Sequence, residues 1–186
     1  MSIQIGEPPA TVAARGFALF ALGFRPFFLF AGFSAIILMA LWLLFWQGKL
    51  PIHGYFDVMQ WHAHEMLFGY VAGVVAGFLL TAVRNWTGMA VPINGKLAGL
   101  AMVWLLARVL MLIPGVPAPL VALVDLLFIP LVGISLFRPL WFGQNKVNRY
   151  FLLLFVSMTF ANLIFHLDAL GVLPGMWQRG AFFMLD

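Results

Sequence analysis

The chain has no cysteine. Disulfides, zinc–thiolate sites and thiolate nucleophiles are therefore excluded. Charge is almost as scarce, at 9% of 186 residues. Hydrophobic residues make up 64% of the chain, and the mean hydropathy is +1.04. One soluble core cannot hide that much apolar surface, because a small globule leaves much of its surface wet. Lipid must be the solvent for most of the chain. There is no Walker loop, no GxGxxG turn ahead of a soluble helix and no Ser-His-Asp arrangement, so phosphate-cradling and triad chemistry lack their residues. Linkers and low-complexity tracts are also missing. The N-terminal MSIQIGEPPATVAARG has no basic run leading straight into an apolar core, and no A-x-A-like site follows the first span, which argues against a cleaved signal peptide. The basic excess is small, +4 with a pI near 10.0, and comes without a basic aromatic patch. In a membrane protein such an excess fits loops biased to one face, and no nucleic-acid partner is expected.

What is present is a series of apolar runs of roughly 18–20 residues, the length that crosses a hydrocarbon core. They predict an all-α membrane protein, a polytopic helix bundle with spans at 27–46, 65–83, 97–113, 120–137 and 150–167. Residues 180–186 read as the start of a sixth helix, and residues 1–15 as a cytoplasmic tail ahead of a bundle covering 16–186. Lysine and arginine are distributed unevenly between alternate loops. Arg15, Arg25, Arg84, Lys96, Arg138, Lys146 and Arg149 fall on one side, against Lys49 and Arg179 on the other. The positive-inside rule then puts the N-terminus in the cytoplasm of a bacterial inner membrane. On that topology all four histidines, His53, His62, His64 and His166, lie at the periplasmic ends of their helices.

Two of them open the second span in Trp61-His62-Ala63-His64-Glu65-Met66. Successive helical residues are offset by about 100°, so His62 and Glu65 share a face while His62 and His64 point apart. A regular helix cannot bring both rings to one metal. They serve two centres, or one is a ligand and the other supports it. Met66 lies one turn after His62 and offers a soft thioether suited to copper(I) or haem iron. Glu65 can orient an imidazole N–H. His53 upstream adds a fourth donor to the metal set His53, His62, His64 and Met66. The plainer alternative is a polar headgroup cluster with Trp61 as an aromatic anchor.

His166, one turn after Asn162, is the expected second axial ligand if a haem is held between spans two and five. Asn162 itself is either a supporting group or a polar link between helices. Gly69, Gly73 and Gly77 clear one stripe of the second span, for close helix packing or for the face of a macrocycle; packing is the ordinary use of such stripes. Arg108 and Asp125 flank the Pro-rich turn at 114–119 at similar depths and are expected to pair, since intramembrane charges are normally paired. The alternative for Arg108 is a haem propionate.

Three stretches carry a resemblance: Gly23-Phe24-Arg25-Pro26-Phe27-Phe28-Leu29; then Trp61-His62-Ala63-His64-Glu65-Met66-Leu67-Phe68-Gly69; then Ala76-Gly77-Phe78-Leu79-Leu80-Thr81-Ala82-Val83 with Asn85-Trp86-Thr87-Gly88. In type and order they resemble the NnrS family, over essentially the whole chain. The resemblance implies a bacterial inner-membrane protein containing haem and copper and acting in the nitric oxide response, in denitrification and under nitrosative stress. It carries metal roles only to His62, His64 and Glu65. The family is roughly twice this length, with about a dozen spans. The chain therefore resembles the N-terminal half, and a C-terminal half or another membrane subunit is an expected partner, beside the lipid bilayer and nitric oxide. Two other functions remain open. A redox enzyme such as a nitric oxide reductase would need a proton relay, and no chain of acids is visible. A transporter or assembly factor without haem would exploit the glycine stripe and the Pro-rich turn.

Overall fold

The structure, a computed structural model, describes residues 18–50, 55–173 and 175. His53, Arg15, Arg179, the 1–15 tail and the expected sixth helix at 180–186 lie outside the described residues. Among those described, there are five long apolar helices and no strands: α1 (Phe24–Trp46), α2 (Val58–Thr87), α3 (Asn94–Leu112), α4 (Ala118–Phe142) and α5 (Tyr150–Ala169). Each is long and apolar enough to cross a bilayer. The protein is a multi-pass membrane protein in contact with lipid.

Helix ends follow local chemistry. The Asp57 side chain accepts from Gln60 N–H at 2.8 Å and starts α2. The second span thus begins at Val58, ahead of the 65 read from hydropathy, because a capped and partly polar first turn carries no apolar signal. Gly88 takes a left-handed φ of 66° and closes the other end. Gly115, at φ 82°, makes the tight turn from α3 into α4. Pro26 sits in the first turn of α1, where its missing N–H has no helical partner to lose.

α2 is the central helix, with 56% of its span buried against 17% for α1 and for the segment containing α5. Its glycines explain the packing on α1: a Cβ at Gly77 would sit 2.7 Å from Phe27 Cβ. Thr81 Oγ1 accepts from Phe24 N–H at 2.9 Å, fastening the start of α1 to α2. Leu79, Leu80, Leu97, Trp104, Val132 and Leu136 fill the interior between α2, α3 and α4. α2 is not uniformly α-helical. Between Glu65 and Val71 it widens into a π-helical turn, closing with Ala72 N–H on the carbonyls of Leu67 and Gly69.

Candidate metal centre

At the end of the bundle where α2 and α4 begin and α3 and α5 finish, four helices bring polar groups to one buried point. Asp125 of α4 is its hub. Asp125 Oδ2 lies 3.2 Å from His64 Nε2 and 3.0 Å from His166 Nε2, and accepts from Asn162 Nδ2 at 2.7 Å. Its Oδ1 accepts from Arg108 Nη2. Asn162 Oδ1 is 2.9 Å from His64 Nε2 and takes the better-placed hydrogen bond from that ring.

The outer nitrogens of both rings have partners of their own. His64 Nδ1 is 3.2 Å from Glu65 Oε1, and His166 Nδ1 is 3.0 Å from the Tyr55 hydroxyl. With His166 Nε2 turned to a carboxylate, its proton belongs there, and the Tyr55 O–H donates to Nδ1. Burial of Tyr55, and then the negative charge of Asp125, raise its phenol well above the usual tyrosine value.

Water does not reach this cluster. His64 and His166 are 0% exposed, Glu65 1% and Asp125 3%. Two buried carboxylates must be answered from within the protein, since isolated charges there are unstable. Arg108 answers both: besides Asp125 it places Nε 3.1 Å from Glu65 Oε2. That last contact is close enough for ion pairing, although its angle is too poor for a hydrogen bond. The sequence reading paired Arg108 with Asp125 alone; the fold adds Glu65. Phe56, Phe68 and Phe165 wall the imidazoles, with ring centroids 4.8, 5.1 and 5.8 Å from His64.

His64, Asp125 and His166 form a group of the kind that can hold a metal ion, with three donor atoms within 4.8 Å of one another. Donors about 2.0 Å from a tetrahedral metal lie about 3.3 Å apart, close to the 3.2 and 3.0 Å separations from Asp125 Oδ2. Two imidazoles and a carboxylate suit copper, zinc or iron. Each imidazole is also held at its far nitrogen, as metal-binding histidines usually are. A small cation therefore fits this donor set. A haem plane between His64 and His166 does not, because the Asp125 carboxylate lies within 3.2 Å of both Nε2 atoms and the Asn162 amide is hydrogen-bonded to His64 Nε2.

The other residues singled out in the sequence divide. His62 faces away from the cluster, stacked on Trp42 at 4.5 Å, with its Nδ1 buried and without a hydrogen-bond partner among the described residues. Met66 joins the apolar cluster around Trp61 and Met111. A Cβ at Gly69 would lie 2.8 Å from Glu65 Oε2 and 3.2 Å from Arg108 Nη1, and one at Gly73 would lie 3.3 Å from three atoms of the Trp104 ring. The stripe thus admits two side chains of α3 and, at Gly77, two of α1, Phe27 and Phe28. Sequence reasoning missed Tyr55, Trp104 and the place of Asp125 beside the histidines. An acid inside an apolar span was the available signal for Asp125; Tyr55 and Trp104 gave none.

A family model described as NnrS protein matches residues 18–185. No curated protein and no solved structure matches the chain.

Proposed function

The chain belongs to the NnrS family, and from that premise we propose that it holds copper at His64, Asp125 and His166 and acts in nitric oxide tolerance. The observation that carries this reading is the convergence of both histidine Nε2 atoms on Asp125 Oδ2, at 3.2 and 3.0 Å. Copper bound there supplies a redox-active centre able to coordinate a small apolar gas that partitions into the bilayer.

The protein's own residues set the conditions. Asp125 contributes a negative ligand, and Arg108 balances it and Glu65. Glu65 and Tyr55 fix the two rings from outside. Phe56, Phe68 and Phe165 exclude water and present an apolar approach. His64, Asp125 and His166 would hold the ion through three protein donors, as in sites that keep an exogenous ligand. In this proposal the centre faces the periplasm, as the loop charges favour, and the haem of the family is taken by His62, whose buried Nδ1 has no hydrogen-bond partner among the described residues.

The test is copper binding to detergent-purified protein, read by metal analysis and electron paramagnetic resonance. His64→Ala and His166→Ala are expected to weaken binding at least tenfold and to lose nitrogen couplings, while His62→Ala keeps the copper and loses haem absorbance. Equal copper binding by wild type, His64→Ala and His166→Ala would falsify the assignment. Nitric oxide tolerance of cells carrying the same variants then links the centre to the response.

A further inference from the structure

The wide turn in α2 begins one residue after His64 and contains Glu65. A π-helical turn is rare, appears mostly as a single turn inside an α-helix and is frequent at functional sites. Here support for it comes from α3. Trp104 Nε1 donates to the Gly69 carbonyl at 3.0 Å, and Arg108 Nη1 donates to the Phe68 carbonyl at 2.9 Å. These donors are one turn apart on α3, and their acceptors are consecutive carbonyls in the turn. A carbonyl has two lone pairs, so each can take such a donor beside its helical bond.

The surroundings are shaped for this contact. Gly73 has no side chain where the Trp104 ring lies, and Gly69 leaves room for Glu65 and the Arg108 fork. The Arg108 guanidinium stands 5.9 Å from the Trp104 ring centroid, so the two residues form one clamp. Arg108 also touches Asp125 and Glu65. Trp104 gives its single N–H to the Gly69 carbonyl and not to the His64, Asp125 or His166 donor atoms, so its hold falls on the turn that follows His64.

We propose that Trp104 is a positioning residue for His64: by holding the Gly69 carbonyl it keeps the π-helical turn open, and the open turn sets the register that aims the imidazole at Asp125 and His166. If the turn closes to α-helix, one residue's worth of rotation, roughly 100°, accumulates between His64 and the helix from Ala72 onward. The ring then leaves the group while α2 stays helical and apolar. The role concerns the ring's position with or without an ion; its consequence for copper rests on the reading proposed above.

The test uses Trp104→Phe, which keeps an aromatic body and removes the donor, with Gly73→Ala as a second variant that presses the ring and leaves the donor. In metal-free full-length protein, nitrogen magnetic resonance of labelled histidines reads the His64 ring directly. The expected result is that Trp104→Phe shifts the His64 resonances toward those of an unbonded ring and leaves those of His62 in place, with a smaller change in the same direction for Gly73→Ala. With copper added, Trp104→Phe is expected to bind about ten- to a hundredfold more weakly and to show one imidazole coupling in place of two. An unchanged His64 resonance in Trp104→Phe overturns the positioning role, whatever the copper result. A shifted resonance in a protein whose wild type binds no copper leaves the role standing and removes the copper reading alone.

Discussion

Among the described residues, Tyr55 is the titratable member of the polar cluster that lies outside the membrane spans, between α1 and α2, and it makes the cluster's state measurable from outside. Its phenol is raised from 10.0 by burial first and by the Asp125 charge second. A raised folded-state value means that the unfolded chain gives up this proton first as pH climbs. Stability from the neutral, hydrogen-bonded phenol is fully present below pH 10.0 and is lost as pH rises above it. The melting temperature of the detergent-solubilised protein should therefore fall more steeply in that alkaline window for wild type than for Tyr55→Phe. Parallel curves for the two proteins would show that the phenol is not buried against the carboxylate. Asp125 teaches a related lesson about reading single residues. As an acid within an apolar span it was visible in the sequence and assigned a partner, Arg108. What spacing could not supply was the second half of its surroundings, because His64 and Asn162 approach it from helices far away in the chain.

Among the elements, α2 carries most of the organisation, and its three glycines do different work. At Gly77 an added methyl would meet Phe27 Cβ at 2.7 Å, an atom fixed to its backbone. At Gly73 it would meet the Trp104 ring at 3.3 Å, and a few tenths of an ångström of movement relieves that contact. Gly77→Ala should accordingly destabilise the protein by about 1–3 kcal/mol through overpacking and loosen α1 from α2, with Gly73→Ala costing less. Thermal unfolding in detergent ranks the two, and a larger loss for Gly73→Ala would contradict the packing described for α1. Five spans were legible from apolar runs alone, since lipid imposes their length. The first turns of α2 were not, because Asp57, Gln60, His62 and His64 are polar there; a cap and a cluster of tertiary partners replace hydropathy as the cause of the helix. The π-helical turn was equally invisible. Its sequence, Glu65-Met66-Leu67-Phe68-Gly69-Tyr70-Val71, is compatible with ordinary helix, and the donors that reach its carbonyls come from α3.

At the scale of the whole molecule, a chain with few charges has gathered five ionisable side chains, Glu65, Arg108, Asp125, His64 and His166, into one dry contact network and left the lipid-facing sides of α1 and α5 apolar. The arrangement has a consequence for how the protein enters the membrane. Arg108 and Asp125 belong to α3 and α4, which are joined by a tight turn, so these two helices form a hairpin whose opposing charges meet without help from any other span. An unpaired arginine or aspartate opposes insertion by about 2.5–3.5 kcal/mol at the centre of a span and by less toward its end, where Arg108 and Asp125 sit. The hairpin can leave the translocon as a neutral unit, while Glu65 and the histidines dock onto it afterwards. Asp125→Ala should then lower the fraction of chains in which α3 and α4 integrate, as scored by glycosylation tags in the flanking loops. Asp125→Ala combined with Arg108→Leu should restore it. Equal integration in all three chains would mean that the pair forms only after insertion. The same contact that organises the finished centre would thus act first during biogenesis, as the internal counter-charge that lets a polar half-site cross the threshold into lipid.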